Sequence, residues 1–367
     1  MPATFDLDYH NHMIPTKEAS PRNLNTNRGL ASLKKALATN GLELFGWVPT
    51  GLDPQFQAFQ SWIKDHKHAG MKFLERNTDL RQNPERLFKG SKTILVVGLN
   101  YYLGDKLKSS KPGIAQYARF KDYHKTIRRR CEMAMKVWEV PYRVVVDSAP
   151  ILERSTAART GMGFIGKNTM FIHPHKGSFF LLGAILTTAE LPIYDPSLTP
   201  IKSQERSQNG GCGTCRRCVV YCPTGALAGD YTLDARKCLA YYSIEHRGPV
   251  PKEFWKHFDK YWFGCDICQL ACPYNRKATI TTENQRFSPN LLDLYEVATM
   301  DQAYYEKVFG GTPMTRAKIY GLQRNALIAM FVTGHNKVEQ AIEFHKDNND
   351  LGVRKTIEQY LVESSKS

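Results

Sequence analysis

The sequence predicts an α+β chain in three parts: a mixed α/β domain, a cysteine-rich domain and a helical C-terminal region. Three observations predict it. β-Branched apolar runs alternate with helical patterns up to about residue 200. Eight of the nine cysteines fall between Cys212 and Cys272. Beyond Thr282 the apolar residues recur at helical spacing. A length of 367 residues suits two or three such domains. With 42% hydrophobic and 23% charged residues, the composition is globular and excludes disorder for the bulk of the chain.

Residues 1–26 are polar and carry Pro2, Pro15 and Pro21, so an extended arm is expected. From Asn27 to Asn40, Leu30, Leu33 and Leu37 mark a helix that Gly41 ends. Phe56 to Glu75 is a second helical stretch, interrupted by Gly70. Thr93–Leu99 is apolar throughout, the pattern of a buried strand, and Tyr142–Asp147 and Ser178–Thr188 are further strands. Between them, Ile114–Val140 reads as a helix with Ile127, Cys131, Met135 and Trp138 on one apolar stripe. Cys131 is therefore expected as a buried core thiol. The opposite face carries Lys125, Arg128, Arg129 and Arg130, either a solvated charge run or a patch for RNA phosphates. Ile201–Gly211 reads as a linker, and Ala326–Val332 with Val338–Leu361 as a helical pair. The expected division is 1–26, 27–200, 201–281 and 282–367.

The cysteines carry the strongest chemistry. Cys212, Cys215, Cys218 and Cys222, followed by Pro223, form a C-x2-C-x2-C-x3-C-P run, the bacterial ferredoxin pattern. Cys265, Cys268 and Cys272, followed by Pro273, form a second run that lacks one member, and Cys238 can complete it. In such pairs the last cysteine of each run ligates the other cluster. One [4Fe–4S] cluster then takes Cys212, Cys215, Cys218 and Cys272; the second takes Cys222, Cys238, Cys265 and Cys268. Structural zinc prefers paired C-x2-C knuckles and fits this spacing poorly.

The chain carries a net charge of +15, which favours a polyanionic partner over a plain basic surface. It has no run of about 18 apolar residues, so no membrane span is expected. The first residues lack a basic stretch followed by an apolar block, so a cytoplasmic protein with reduced thiols is expected. Asp147 closes a strand, with Arg154 in a helix expected to start near Pro150. There Asp147 either caps that helix or, if burial raises its pKa, donates a proton. Gly161–Gly166 fits G-x-G-x-x-G, but a helix precedes it, so a dinucleotide site is not expected. Lys167 and Asn168 after it are candidate anchors for a large cofactor.

Several motifs together resemble the epoxyqueuosine reductases, cobalamin-dependent enzymes of queuosine tRNA modification. They are Lys121–His124, Val146–Arg154, Gly163–Asn168, the two cysteine runs, Leu233–Cys238, Phe263–Gln269 and Arg324–Leu327. The resemblance implies a cobalamin-binding α/β domain, a ferredoxin-like domain with two [4Fe–4S] clusters that reduce the cobalt, and a C-terminal helical, HEAT-like segment. It implies reduction of the epoxide of epoxyqueuosine in a tRNA anticodon loop, with Asp147 as proton donor. Arg81, Arg154, Lys167, Asn168, Phe171 and Leu182 match cobalamin-contacting positions, and Asp266 and Gln269 would press the cluster domain against the cofactor. The implied partners are the tRNA stem-loop, with Lys125, Arg128, Arg129 and Arg130 as candidate contacts, and an electron donor such as a flavodoxin or ferredoxin. A monomer is expected. Two other readings stand beside this one. A reductive dehalogenase shares the cofactors but usually carries a twin-arginine signal. A non-catalytic iron–sulfur carrier leaves roughly 200 residues before the clusters unexplained.

Overall fold

The computed structural model describes residues 26–104, 113–191, 210–284 and 292–365. The expected arm, but for its last residue, and the linker up to residue 209 lie outside the described residues. The frame of the first part is a four-stranded antiparallel sheet of order β1-β2-β7-β4. It consists of β1 (Glu43–Pro49), β2 (Thr93–Asn100), β4 (Tyr142–Val145) and β7 (Phe180–Thr187). β2 is buried along its length up to Leu99, as its unbroken apolar run predicts.

Alternation along β2 feeds two layers. Leu95, Val97 and Leu99 pack under α1 (Thr26–Thr39) and α4 (Tyr123–Met135), against Leu33, Leu37, Ile127, Cys131, Met135 and Trp138. Ile94 and Val96 face the other way, toward Leu87, Ile151 and the turns around α5 (Glu153–Arg159). Cys131 is fully buried at the first of these interfaces, as expected of a core thiol. Between them run α2 (Phe56–Lys64), α3 (Thr78–Gln82), β3 (Gly113–Ile114) and a small hairpin, β5 (Phe164–Ile165) with β6 (Phe171–Ile172).

Four expectations change here. β1 is a strand the sequence pattern concealed: Gly46, at φ +111°, sits at a register shift between Leu44 and Gly46, and Pro49 ends the run. α4 starts at Tyr123, not Ile114, because Asp122 Oδ1 accepts the His124 N–H at 2.9 Å and caps it. The residues ahead are diverted: β3 pairs in parallel with β8 (Tyr261–Phe263) of the cysteine-rich part. The helix after Asp147 starts at Glu153 rather than near Pro150, and α2 ends at Lys64.

The cysteine-rich part holds α6 (Arg217–Tyr221), α7 (Leu239–Ile244) and α8 (Ile267–Leu270). The helical part holds α9 (Leu294–Ala298), α10 (Gln302–Phe309), α11 (Lys318–Thr333), α12 (Val338–Phe344) and α13 (Leu351–Ser364). Val338–Leu361 is thus two helices, with Asp350 capping the second through the Val353 N–H at 3.0 Å. α11 is buried from Leu322 to Met330 and central. Its Leu322, Leu327 and Ile328 share one core with Tyr242, Trp255, Phe258 and Trp262, so the packing runs on across residues 281 and 282. Arg324, 2% exposed, donates to the carbonyls of Tyr242, His246 and Gly248 at 2.7–2.9 Å, and Asn325 donates to that of Ser243 at 2.7 Å. The Arg324–Leu327 motif therefore clamps the C-terminal end of α7, the helix that begins beside Cys238.

Candidate active site and cluster cage

The eight cysteines separate into two groups. Cys212, Cys215, Cys218 and Cys272 line one cavity of about 350 Å3, together with Lys167, Asn168, Tyr274 and Lys277. Cys222, Cys238, Cys265 and Cys268 are electrostatic neighbours of one another, and burial pushes the Cys238, Cys265 and Cys268 thiols up. Cys268 also lies in the field of Cys218, so the two groups adjoin. All-sulfur donor sets of four fit [4Fe–4S] clusters, which deprotonate their thiols on binding. Lys167 serves the first group: its N–H donates to Cys212 Sγ at 3.4 Å, and its Nζ to the carbonyls of Gly213 and Cys215 at 2.7 and 3.1 Å.

Asp147 lies two residues beyond the end of β4 with φ +46°, a left-handed conformation that a non-glycine residue holds only at a cost of about 1–3 kcal/mol. Val145 pairs with Ala184, so the same register continued brings Asp147 level with Leu182. Its side chain is 55% exposed and does not cap α5. Instead Oδ2 accepts from the Tyr123 hydroxyl at 2.6 Å and from His124 Nε2 at 3.0 Å, while the Asp147 N–H donates to Glu153 Oε1 at 2.6 Å. His124 Nδ1 lies 2.8 Å from Asp122 Oδ1, so both ring nitrogens face carboxylates.

The electrostatics reverse one expectation. Crowding works against the charge of Asp147, but the bonds from His124 and Tyr123 outweigh it and hold the carboxyl below its ordinary range. Burial likewise works against the His124 cation, yet Asp122 and Asp147 raise that imidazole to about 9. Burial, then the Asp147 charge, push Glu153 up to about 8. At neutral pH the protons therefore sit on His124 and Glu153, with Asp147 ionised between them. Tyr123, His124 and Glu153 were not among the site residues read from the sequence. The signal was Lys121–His124 itself, in which a capping Asp precedes a Tyr-His pair.

The expected cofactor contacts divide. Asn168, Phe171, Asp266 and Gln269 are buried and bonded within the protein. Phe171 packs edge-on against Phe45, with ring centroids 5.3 Å apart. Asp266 Oδ2 accepts the Gln116 N–H at 2.7 Å. Gln269 donates to the Ser178 carbonyl at 3.0 Å and accepts from the Tyr101 hydroxyl at 3.1 Å, and the Asn168 amide reaches the Cys268 carbonyl at 3.4 Å. Of the four, Gln269 joins the cage to the chain flanking β2 and β7. Arg81 is nearly buried over the Phe59 ring. Arg154 is exposed and donates to the Thr169 carbonyl at 2.7 Å, and Leu182 is half-buried. Phe180, Leu181 and Leu182 leave the first part of β7 half-exposed and apolar, beside Asp147. An apolar strip with a carboxylate and a guanidinium nearby fits a large flat ring with polar edges.

The basic face of α4 is smaller than expected. Lys125, Arg128 and Arg129 are exposed. Arg130 turns both terminal guanidinium nitrogens to Glu283, at 2.6 and 2.8 Å, and ties α4 to the segment after the cage.

Residues 211–275 match the 4Fe-4S double cluster binding domain family, and residues 81–148 match the family described as epoxyqueuosine reductase QueG, DUF1730. The second match runs from Arg81 through Asp147. The epoxyqueuosine reductase of Salmonella typhimurium is 32% identical over 344 residues, 89% of this chain and 86% of the relative. That of Escherichia coli K12 is 33% identical over 305 residues, 79% of this chain and 77% of the relative. The structure of epoxyqueuosine reductase from Streptococcus thermophilus superposes with a TM-score of 0.75 at 26% identity, covering 89% of this chain and 86% of that one. A crystal structure of an epoxyqueuosine reductase with an epoxyqueuosine-modified tRNA-Tyr stem loop has the same fold, with a TM-score of 0.78 at 24% identity, covering 90% of this chain and 89% of that one. Because identity of about one third extends over most of both chains, and through both the cage and the Asp147 segment, the chain belongs to the epoxyqueuosine reductase family.

Proposed function

We propose that the protein reduces the epoxide of epoxyqueuosine in a tRNA anticodon loop to the alkene of queuosine, in the cytoplasm. The net reaction takes two electrons and two protons and releases one water. When bound, the two clusters supply single electrons and a cobalamin supplies low-valent cobalt, a strong nucleophile and reductant. Residues 27–200 would hold the cobalamin, with Leu182 and Arg154 toward the ring, and Lys167 would brace the first cage. Residues 201–281 would hold the clusters, and 282–367 would brace them.

The chain's own part is the proton. Opening an epoxide leaves an oxygen anion, which needs a donor within hydrogen-bond reach. Asp147 is ionised at rest, so it serves as the relay. The substrate oxygen takes a proton through the Asp147 carboxylate as His124 gives up the one on Nε2, and Glu153, which accepts the Asp147 N–H, holds another beside it. Tyr123 fixes the carboxylate throughout. The RNA would approach over Lys125, Arg128 and Arg129, which follow His124 on the same helix and bind phosphates without reading sequence.

The observation that carries this reading is the Tyr123–Asp147–His124 arrangement on a strained turn beside the half-exposed end of β7. Its test is anaerobic incubation of the reconstituted protein with epoxyqueuosine-containing tRNA, cobalamin and a chemical reductant, followed by nucleoside mass spectrometry. Loss of one oxygen from the modified nucleoside is expected. A protein loaded with both clusters and cobalamin that leaves the nucleoside unchanged rules the reading out.

A further inference from the structure

We propose that the outer face of α6, above the first cluster cage, is the docking site of an acidic one-electron carrier protein. The proposal rests on the reading of the cages as a two-cluster relay. The cages are not equivalent in position. The inner one is tied to the proposed active site: Asp266, between its ligands Cys265 and Cys268, accepts from the Gln116 N–H at 2.7 Å. Tyr117, the next residue, lies in the field of both Asp266 and Asp147. The outer cage opens into its own cavity, whose lining among the described residues includes Lys167 and Lys277 and no acidic side chain.

α6 carries a ligand of each cage near its ends, Cys218 and Cys222. Between them, Val220 is 75% exposed and Tyr221 47% exposed. Arg216 and Arg217 beside them are exposed too, and the Arg217 guanidinium lies 5.7 Å from the centre of the Tyr221 ring. Of the acids nearby, Asp234 is paired with Arg236 at 2.8 Å. The Asp230 carboxylate accepts from the Thr232 hydroxyl at 2.7 Å. The face thus has an apolar centre inside a basic rim, the anatomy of a protein interface, and its sign selects an acidic partner. A partner seated there stands within one helical turn of ligands to both clusters. One electron passes from carrier to cluster: an anionic flavin hydroquinone becomes the neutral semiquinone, the cluster goes from 2+ to 1+, and no proton moves.

The test uses the reconstituted holoprotein and an acidic flavodoxin as probe. Calorimetry with oxidised flavodoxin reads affinity, and stopped-flow bleaching of the cluster absorbance reads transfer from the hydroquinone. Arg216→Glu and Val220→Asp are each expected to weaken binding and slow bleaching by about tenfold. In the parent both readouts should weaken steeply with salt. Bleaching by dithionite, iron content and affinity for a tRNA stem-loop should stay unchanged. Parental flavodoxin affinity in both variants overturns the proposal. So does a loss of stem-loop affinity in place of flavodoxin affinity, which would make the face an RNA surface. A chain without clusters would fail iron analysis before any carrier was added, so failure of the underlying reading is seen separately.

Discussion

Asp147 hangs two residues past the end of β4, and the side chains that fix its carboxylate come from the first turn of α4, 23 and 24 residues upstream. Eight of the nine cysteines stand on and around α6, α7 and α8, between residues 212 and 272. One region is assembled by tertiary packing and tuned by charge, while the other is dictated by how many sulfur donors a cluster demands. The difference lies in what substitution can do. Removing a ligand leaves no partial cage, whereas altering a neighbour of Asp147 moves a proton and leaves the fold standing.

The sharpest break in that comparison comes from the cage. In Cys268→Ala, turnover is expected to vanish and iron to fall from about eight to about four per chain. Eight irons in that variant would show that Cys268 is not a ligand. Next is Asp147→Ala, expected to lower turnover by about 100- to 10,000-fold with iron and cobalamin content unchanged. Loss of iron in that variant would join the two regions into one structural unit and end the contrast.

His124 gives a smaller and more graded effect. Its imidazole is raised from 6.5 to about 9, so what the Asp122 and Asp147 contacts add to stability is complete below pH 6.5 and lost as pH rises through about 9. Turnover should follow the same alkaline limb, with a midpoint near 9, because the proton leaves His124 there. His124→Gln should remove the limb and slow the neutral rate by about tenfold. A limb that persists in that variant with its midpoint near 8 would move the proton's origin to Glu153, and one unchanged near 9 would remove His124 from the relay.

These two regions were unequally legible. The double-cluster domain from Cys212 to Cys272 was legible because each cysteine gap reports chain geometry over a few residues. The strands at Thr93 and Tyr142 were legible for a similar reason, as β-branched runs declare themselves locally. β1 was not, because Gly46 and Pro49 break its pattern while its neighbour β2 supplies the register. Nor was the ionisation of Asp147, which depends on His124 and Tyr123 arriving from another element. Burial of Asp266 and Gln269 between cage and sheet was equally invisible, since their partners Gln116, Tyr101 and Ser178 lie about 90–170 residues away.

The basic face of α4 separates the two kinds of constraint within a single run of arginines. Arg129 and Arg130 are adjacent in sequence and alike in chemistry, yet one is exposed and the other is forked onto Glu283 with its side chain 17% exposed. The fork joins α4, which supplies Tyr123 and His124, to the chain leaving the cage, so Arg130 is a strut between the two regions. Arg130→Ala should cost about 1 kcal/mol of stability, the modest value of a half-screened pair, with the slope of tRNA affinity against salt unchanged. Arg129→Ala should do the reverse: stability within about 0.5 kcal/mol of the parent, and a log–log salt slope shallower by somewhat under one unit, the signature of one lost phosphate contact. Thermal melts and stem-loop titrations at several salt concentrations read both. Equal salt slopes in the two variants would mean that Glu283 releases Arg130 when RNA binds, and that the strut and the phosphate patch are one device.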